Sequence, residues 1–156
     1  MARLPLSCFI DVGANVGEWT SAVKKYFPFA TVHSFEIHPQ TFNSLFKSTA
    51  ELSGVNLMNC GLSDQSEDLQ LHCFGDASGL TSAVDYPHPE RLSRKMVTGK
   101  VVSGDSYVSQ KSIGHIDFLK IDVEGMEDGL HPDFLPFTSR VRRLLRPPGA
   151  VWLAPV

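Results

Sequence analysis

With 156 residues the chain has room for one domain, and a domain of that size buries roughly 70% of the surface its unfolded chain exposes. Hydrophobic residues at 42% against 20% charged, with 10 Phe, exclude a disordered tail, and no apolar run approaches the ~20 residues that cross a bilayer. Fourteen Lys and Arg against 17 Asp and Glu leave a net charge of −3, which argues against a nucleic-acid-binding domain built on bulk positive charge.

Met1 to Cys8 carries one Arg and no apolar stretch ahead of a small-residue cleavage site, so it does not read as a secretory leader. Cys8-Phe9-Ile10-Asp11-Val12 reads as a short strand ending at Gly13. From Glu18 to Phe27 the residues Trp19, Ala22, Val23, Tyr26 and Phe27 fall on one helical face, and Pro28 stops that helix. Thr31 to Glu36 is a second strand, rich in β-branched and aromatic types. A second helix runs from about Gln40 to Leu52, with Phe42, Leu45, Phe46 and Thr49 together and Ser53-Gly54 closing it. Val55 to Asn59 is a third strand. This alternation predicts an α/β fold with a mostly parallel, doubly wound sheet and helices on both faces.

Asp68 to Cys73 alternates as a half-exposed strand, and 75–104 reads as a long loop with one short strand near Lys100 to Val102. Ile116 to Ile121 is a fourth strand of the parallel set. Beyond it, His131-Pro132 and Pro136 interrupt any long helix, Phe137 to Leu145 reads as a short helix, and Ala150 to Leu153 as a fifth strand after Pro147-Pro148-Gly149. Cys8, Cys60 and Cys73 are widely spaced with no CxxC, so reduced thiols in a cytoplasmic compartment are expected rather than disulfides or zinc. The six His show no metal-ligand spacing.

Asp11-Val12-Gly13-Ala14-Asn15-Val16-Gly17 lies between a strand and a helix, where glycine lets the backbone turn sharply and lets a ligand approach the helix N-terminus. Glu36 ends the next strand 23 residues after Gly13, the position from which an acid accepts hydrogen bonds from ribose hydroxyls in doubly wound folds. Its loss is expected to weaken nucleoside binding and to leave the ligand-free fold almost unchanged. A dinucleotide fingerprint needs a second glycine where Asn15 stands and a third where Glu18 stands. The departure favours a nucleoside with a zwitterionic amino-acid end, S-adenosylmethionine, over NAD.

Four blocks carry a resemblance: Phe9 to Gly17, Phe35-Glu36-Ile37-His38-Pro39, Asn59-Cys60-Gly61-Leu62-Ser63-Asp64, and Ile116 to Glu127 with its Leu119-Lys120-Ile121-Asp122-Val123-Glu124-Gly125-Met126-Glu127. In order and spacing they resemble the FkbM family of methyltransferases, from about Cys8 to Glu127. The resemblance implies a class I, Rossmann-like fold that binds S-adenosylmethionine and methylates a hydroxyl oxygen. It implies that Asp11, Gly13, Asn15 and Gly17 line the methionine end, Glu36 the ribose and Asn59 the adenine, with Asp122 beside the methyl group. Family members carry further sequence before the first strand and two more strands after the fifth. The chain therefore reads as one shortened domain over 1–156 with an atypical tail over 128–156.

Methyl transfer is an in-line displacement in which the enzyme mainly aligns the reactants, and a weakly nucleophilic hydroxyl gains from a general base. Asp122 and Glu124, at the carboxyl end of the fourth strand, are the candidates for that base. Glu124 is equally an acid in the first turn of a following helix, and Lys120 alternates with Asp122 and pairs with it. The acceptor is a small molecule or a glycan hydroxyl, with no nucleic acid or membrane partner. Three alternatives compete. Asp117, Asp122, Glu124 and Glu127 would hold a divalent ion; the chain would be a non-catalytic cofactor- or partner-binding domain; or Tyr107 and Lys111, at Tyr-x-x-x-Lys spacing but in an expected polar loop, would mark an oxidoreductase.

Overall fold

The computed structural model describes residues 6–74, 81–82, 94–123, 141 and 144–145. Five parallel strands form the main sheet: β1 (Cys8–Val12), β2 (Thr31–Phe35), β3 (Val55–Met58), β8 (Phe118–Ile121) and β9 (Leu144–Leu145), in the spatial order β3-β2-β1-β8-β9. Helix α1 (Glu18–Tyr26) joins β1 to β2, α2 (Pro39–Ser48) joins β2 to β3, and α3 (Gly104–Gln110) precedes β8. The chain steps outward from β1 through β2 to β3 and then returns to the other side of β1 with β8. The point of reversal lies between β1 and β8, and in such sheets it opens a crevice at the carboxyl ends of the strands.

Alternation along the strands gives each face of the sheet its own partner. Phe9 and Val32 pack with Val23 of α1, joined by the rings of Trp19 and Phe118. Ile10, Val12, Phe35, Leu119 and Ile121 face the other way and form the larger core with Tyr107 and Val108 of α3. The helices thus cover opposite faces, as the strand–helix rhythm predicts.

A second sheet departs from expectation. β4 (Gly61–Ser63), β5 (Glu67–Phe74), β6 (Thr81–Ser82) and β7 (Arg94–Ser103) are ordered β4-β7-β5-β6, with β4–β7 parallel and the other pairs antiparallel. The stretch read as a loop with one short strand therefore contains a ten-residue strand, paired with β5 from Arg94 to Val101 and with β4 at its end. Its Ser, Gly and charge content masks the strand because its stability comes from cross-strand pairing rather than local propensity. Leu144–Leu145 pairs with Leu119 and Lys120 as a strand, where the sequence suggested a short helix. The expected strand at Ala150 to Leu153 lies outside the described residues.

Both early helices bury part of their predicted faces, Val23 in α1 and Leu45 with the C-cap Thr49 in α2, and add polar residues to them. In α1 the buried residues are Thr20, Val23 and Lys24, while Tyr26 is 74% exposed. Thr20 and Lys24 turn inward because each finds buried partners: the Thr20 hydroxyl reaches Asp11 and Ser34, and Lys24 Nζ donates to the carbonyls of Pro28 and Ala30. In α2 the buried side is Thr41 and Leu45, and Phe46 points outward. Its N-cap is His38, whose Nδ1 accepts from the Thr41 amide. The described residues include no helix long and apolar enough to cross a membrane.

Candidate functional site

At the end of β1, Gly13 takes φ of +74°, and a Cβ there would sit 1.9 Å from the Asp122 carbonyl oxygen. Only glycine allows the β1 turn to press against the end of β8 in this way. The amides of Gly13 and Ala14 both donate to the Phe35 carbonyl, at 3.0 and 2.9 Å, and the Asp122 amide donates to Val12 O at 2.9 Å. Three strand ends, β2, β1 and β8, are thereby stitched together at one edge. Asn15 follows with φ of +49°, its side chain exposed. Gly17, at φ of +90°, caps α1 without a side-chain bond. A Cβ at Gly17 would press on Leu45 and Ser48 of α2 and on Thr49, its C-cap, so the close approach of α2 to the turn also needs glycine here.

Glu36 stands just beyond β2, facing the turn. It is 8% exposed, and its carboxylate is oriented from both sides: Oε2 accepts from the Asn15 amide and Oε1 from the His38 amide, each at 2.9 Å. Burial raises its pKa above the usual carboxylate range, and those two amides oppose the shift. A carboxylate has four lone-pair directions, so two remain for a ligand. Asn59, exposed at the end of β3, donates from Nδ2 to the Glu36 carbonyl at 2.8 Å and the Ile37 carbonyl at 3.3 Å, tying the third strand end to the second.

Asp11, expected to line the methionine end, lies at the foot of the turn. It is fully buried beneath the turn, with Oδ2 accepting from Thr20 Oγ1 at 2.8 Å and Oδ1 lying 3.1 Å from Lys120 Nζ. Burial pushes its pKa up, opposed chiefly by the Lys120 ammonium. Asp11 thereby ties β1 to α1 through Thr20 and to β8 through Lys120. Asp122 follows β8, its side chain 43% exposed, with Oδ2 3.5 Å from Lys120 Nζ. Glu124 and Glu127 lie outside the described residues. Thus Gly13, Asn15, Glu36, Asn59 and Asp122 gather at the carboxyl ends of the parallel strands, while Asp11 and Gly17 sit behind them.

Among the described residues, the acids and the Tyr–Lys pair of two competing readings are placed as follows. Asp117 accepts from the Ser7 and Cys8 amides at the amino end of β8, at 2.8 and 3.1 Å. Asp122 is five residues further along, roughly 16 Å away in extended chain, so the two carboxylates do not share one ion. Tyr107 belongs to helix α3 rather than a polar loop, and its buried hydroxyl lies 2.7 Å from His33 Nδ1 inside the core, away from the glycine turn. Sequence reasoning missed Thr20 and Ser34, which carry no motif signal; only the shared register of Asp11 with Ser34 reveals that row.

The Methyltransferase FkbM domain family matches residues 11–129, which takes in every block named above except the first residues of β1. Methyltransferase 1 of Beauveria bassiana is 30% identical, the match covering 78% of this chain and 55% of that protein. Methyltransferase sdnD of Sordaria araneosa is 29% identical, covering 81% and 60%. Hexuronic acid methyltransferase AglP of Haloferax volcanii is also 29% identical, covering 75% and 45%. The chain spans about half the length of these curated relatives. Among solved structures, a crystal structure of methyltransferase FkbM from Methylobacillus flagellatus shares the fold at a TM-score of 0.50 and 17% identity, over 83% of this chain and 29% of that one. The matched range takes in the glycine turn, the acid after β2 and the end of β8, and the chain belongs to the FkbM methyltransferase family.

Proposed function

We propose that the chain carries the cofactor half of an S-adenosylmethionine-dependent O-methyltransferase whose acceptor is a hydroxyl on a small molecule or glycan. The observation that supports it is the state of Glu36: a carboxylate oriented by two amides, with two lone-pair directions left, at the end of β2 beside the turn of β1. That donor–acceptor set suits the two hydroxyls of a ribose. Bound there, the cofactor supplies an electrophilic methyl group on a positively charged sulfur.

The chain's own residues then have separable tasks. Glu36 accepts the two ribose hydroxyls, Asn59 holds the edge near the adenine, and the backbone from Gly13 through Asn15 to Gly17 shapes the methionine end. Asp11 keeps that backbone in place from beneath. Asp122, exposed at the mouth, takes the proton from the acceptor hydroxyl as it becomes nucleophilic, with Glu124 as the second candidate carboxylate. The name of the archaeal relative, a hexuronic acid methyltransferase, supports a sugar acid among the acceptor classes. Asn15, standing where a dinucleotide site needs glycine, supports S-adenosylmethionine over NAD.

Calorimetric titration of the purified chain with S-adenosylmethionine, S-adenosylhomocysteine and NAD tests the reading. Binding of the two sulfur nucleosides with NAD weaker or absent is the expected result; NAD binding more tightly than S-adenosylhomocysteine overturns it. The alternative of a non-catalytic binding domain is separated by turnover: binding without methyl transfer to any hydroxyl acceptor favours it.

A further inference from the structure

Lys120 occupies a position that its pairing with Asp122 alone does not explain. Its Cα is in register with Asp11 on β1, which is in register with Ser34 on β2. The three side chains form one polar row across adjacent strands on the α1 face, roofed by the Thr20 hydroxyl 2.7 Å from Ser34 Oγ and 2.8 Å from Asp11 Oδ2. Lys120 Nζ ends the row. It has three donors and three acceptors around it: Asp11 Oδ1 at 3.1 Å, the Gly13 carbonyl at 3.3 Å and Asp122 Oδ2 at 3.5 Å. The side chain is 13% exposed and that of Asp11 is not exposed at all, so this ammonium is held in a largely water-free setting.

Neutralising a buried carboxylate requires only the first of those contacts. The other two join the carbonyl of the glycine turn to the side chain at the mouth, so one cation sets the spacing between the end of β1 and the end of β8. We infer that Lys120 is a positioning residue of the site: it holds the Gly13 turn and the Asp122 carboxylate in one arrangement, leaving Asp122 Oδ1 as the oxygen not drawn toward Lys120. The inference concerns the ligand-free chain; its consequence for cofactor affinity rests on the function proposed above.

The test separates positioning from simple charge balance. Lys120→Met leaves Asp11 uncompensated and destabilises the fold; adding Asp11→Asn removes the buried charge and keeps an acceptor for Thr20. In the ligand-free double variant, hydrogen exchange is measured at the Gly13, Ala14 and Asp122 amides, with the Val32 amide, bonded to Gly54 O at the far end of β2, as reference. Exchange at the first three faster by about tenfold or more, with Val32 unchanged, is expected, since bonds to a charged group typically contribute that much. Wild-type protection at all four sites, or an equal loss at all four, overturns the inference. As a second readout, the double variant binds S-adenosylhomocysteine at least about tenfold more weakly than wild type although its melting temperature recovers. Recovery of both overturns it as well. Absence of binding by the wild-type chain counts against the proposed function alone, and the exchange measurement still decides the role of Lys120.

Discussion

At the scale of single residues, Glu36 shows how burial changes the meaning of a motif position. From the sequence it is a strand-end acid whose removal leaves the ligand-free fold alone. In the structure its two oxygens satisfy the Asn15 and His38 amides, so the ligand-free fold depends on it too. Glu36→Gln retains one acceptor oxygen and turns an NH2 group toward an N–H donor. Folding stability should fall by about 1–3 kcal/mol, the penalty for a buried donor left unsatisfied. Affinity for S-adenosylhomocysteine should fall by about ten- to a hundredfold, the magnitude of lost charge-assisted bonds. Urea denaturation and calorimetry check the two separately, and unchanged affinity with lowered stability would return Glu36 to a purely structural role.

At the scale of elements, the two glycines of the β1–α1 turn do different work. Gly13 is pressed against the backbone of β8, which cannot yield without breaking the Asp122–Val12 bond. Gly17 meets the side chains of Leu45 and Ser48 of α2 and of its C-cap Thr49, which have some freedom to shift. Both substitutions carry the positive-φ penalty of about 1–2 kcal/mol. Gly13→Ala adds a backbone collision, so it should destabilise the chain more than Gly17→Ala and abolish ligand binding. Gly17→Ala should leave binding within about tenfold of wild type, because the displaced side chains lie on the α2 side of the turn. Melting curves with and without S-adenosylhomocysteine check the order; equal effects at the two positions would show that strain, not the β1–β8 contact, governs the turn.

At the scale of the whole molecule, His33 links the main sheet to the α3 layer. Its Nδ1 lies 2.7 Å from the Tyr107 hydroxyl, which also approaches Met58 Sδ at 3.7 Å. Burial, with Lys111 nearby, lowers the His33 pKa to about 4, and burial raises that of Tyr107, so both groups are neutral near pH 7. A base whose pKa is lower in the fold than its ordinary 6.5 favours folding in its neutral form. Its contribution is complete above pH 6.5 and is lost as pH falls from there toward 4. The loss amounts to at most about 3 kcal/mol. Asp11 and Glu36, whose pKa values are raised by burial, act in the opposite sense as pH falls. The His33 share is therefore read as a difference: His33→Gln should be less stable than wild type at pH 7 and should narrow that gap by pH 5. Parallel urea midpoints across this range would contradict the assignment.

The local code sufficed for much of this protein. Apolar periodicity separates the strands from the helices, glycine marks the β1 turn, and the spacing of Gly13 to Glu36 relates two strand ends. These features were legible because each depends on residues close in sequence, where sterics and side-chain period act directly. Tertiary structure decided the rest. Strand β7 exists through its pairing with β5, and β9 through its pairing with β8, so neither left a clear local pattern. The inward turn of Thr20 and Lys24 in α1 follows from partners they meet only in the folded chain. The place of Asp11 in the motif is visible in the sequence, and its burial is not. Lys120 reads as a lysine alternating with an aspartate along a strand; that its ammonium also meets a carboxylate 109 residues earlier in the chain is a property of parallel register alone. Long-range pairing sets which polar groups lose water, and loss of water turns an ordinary charged side chain into one that holds a site together.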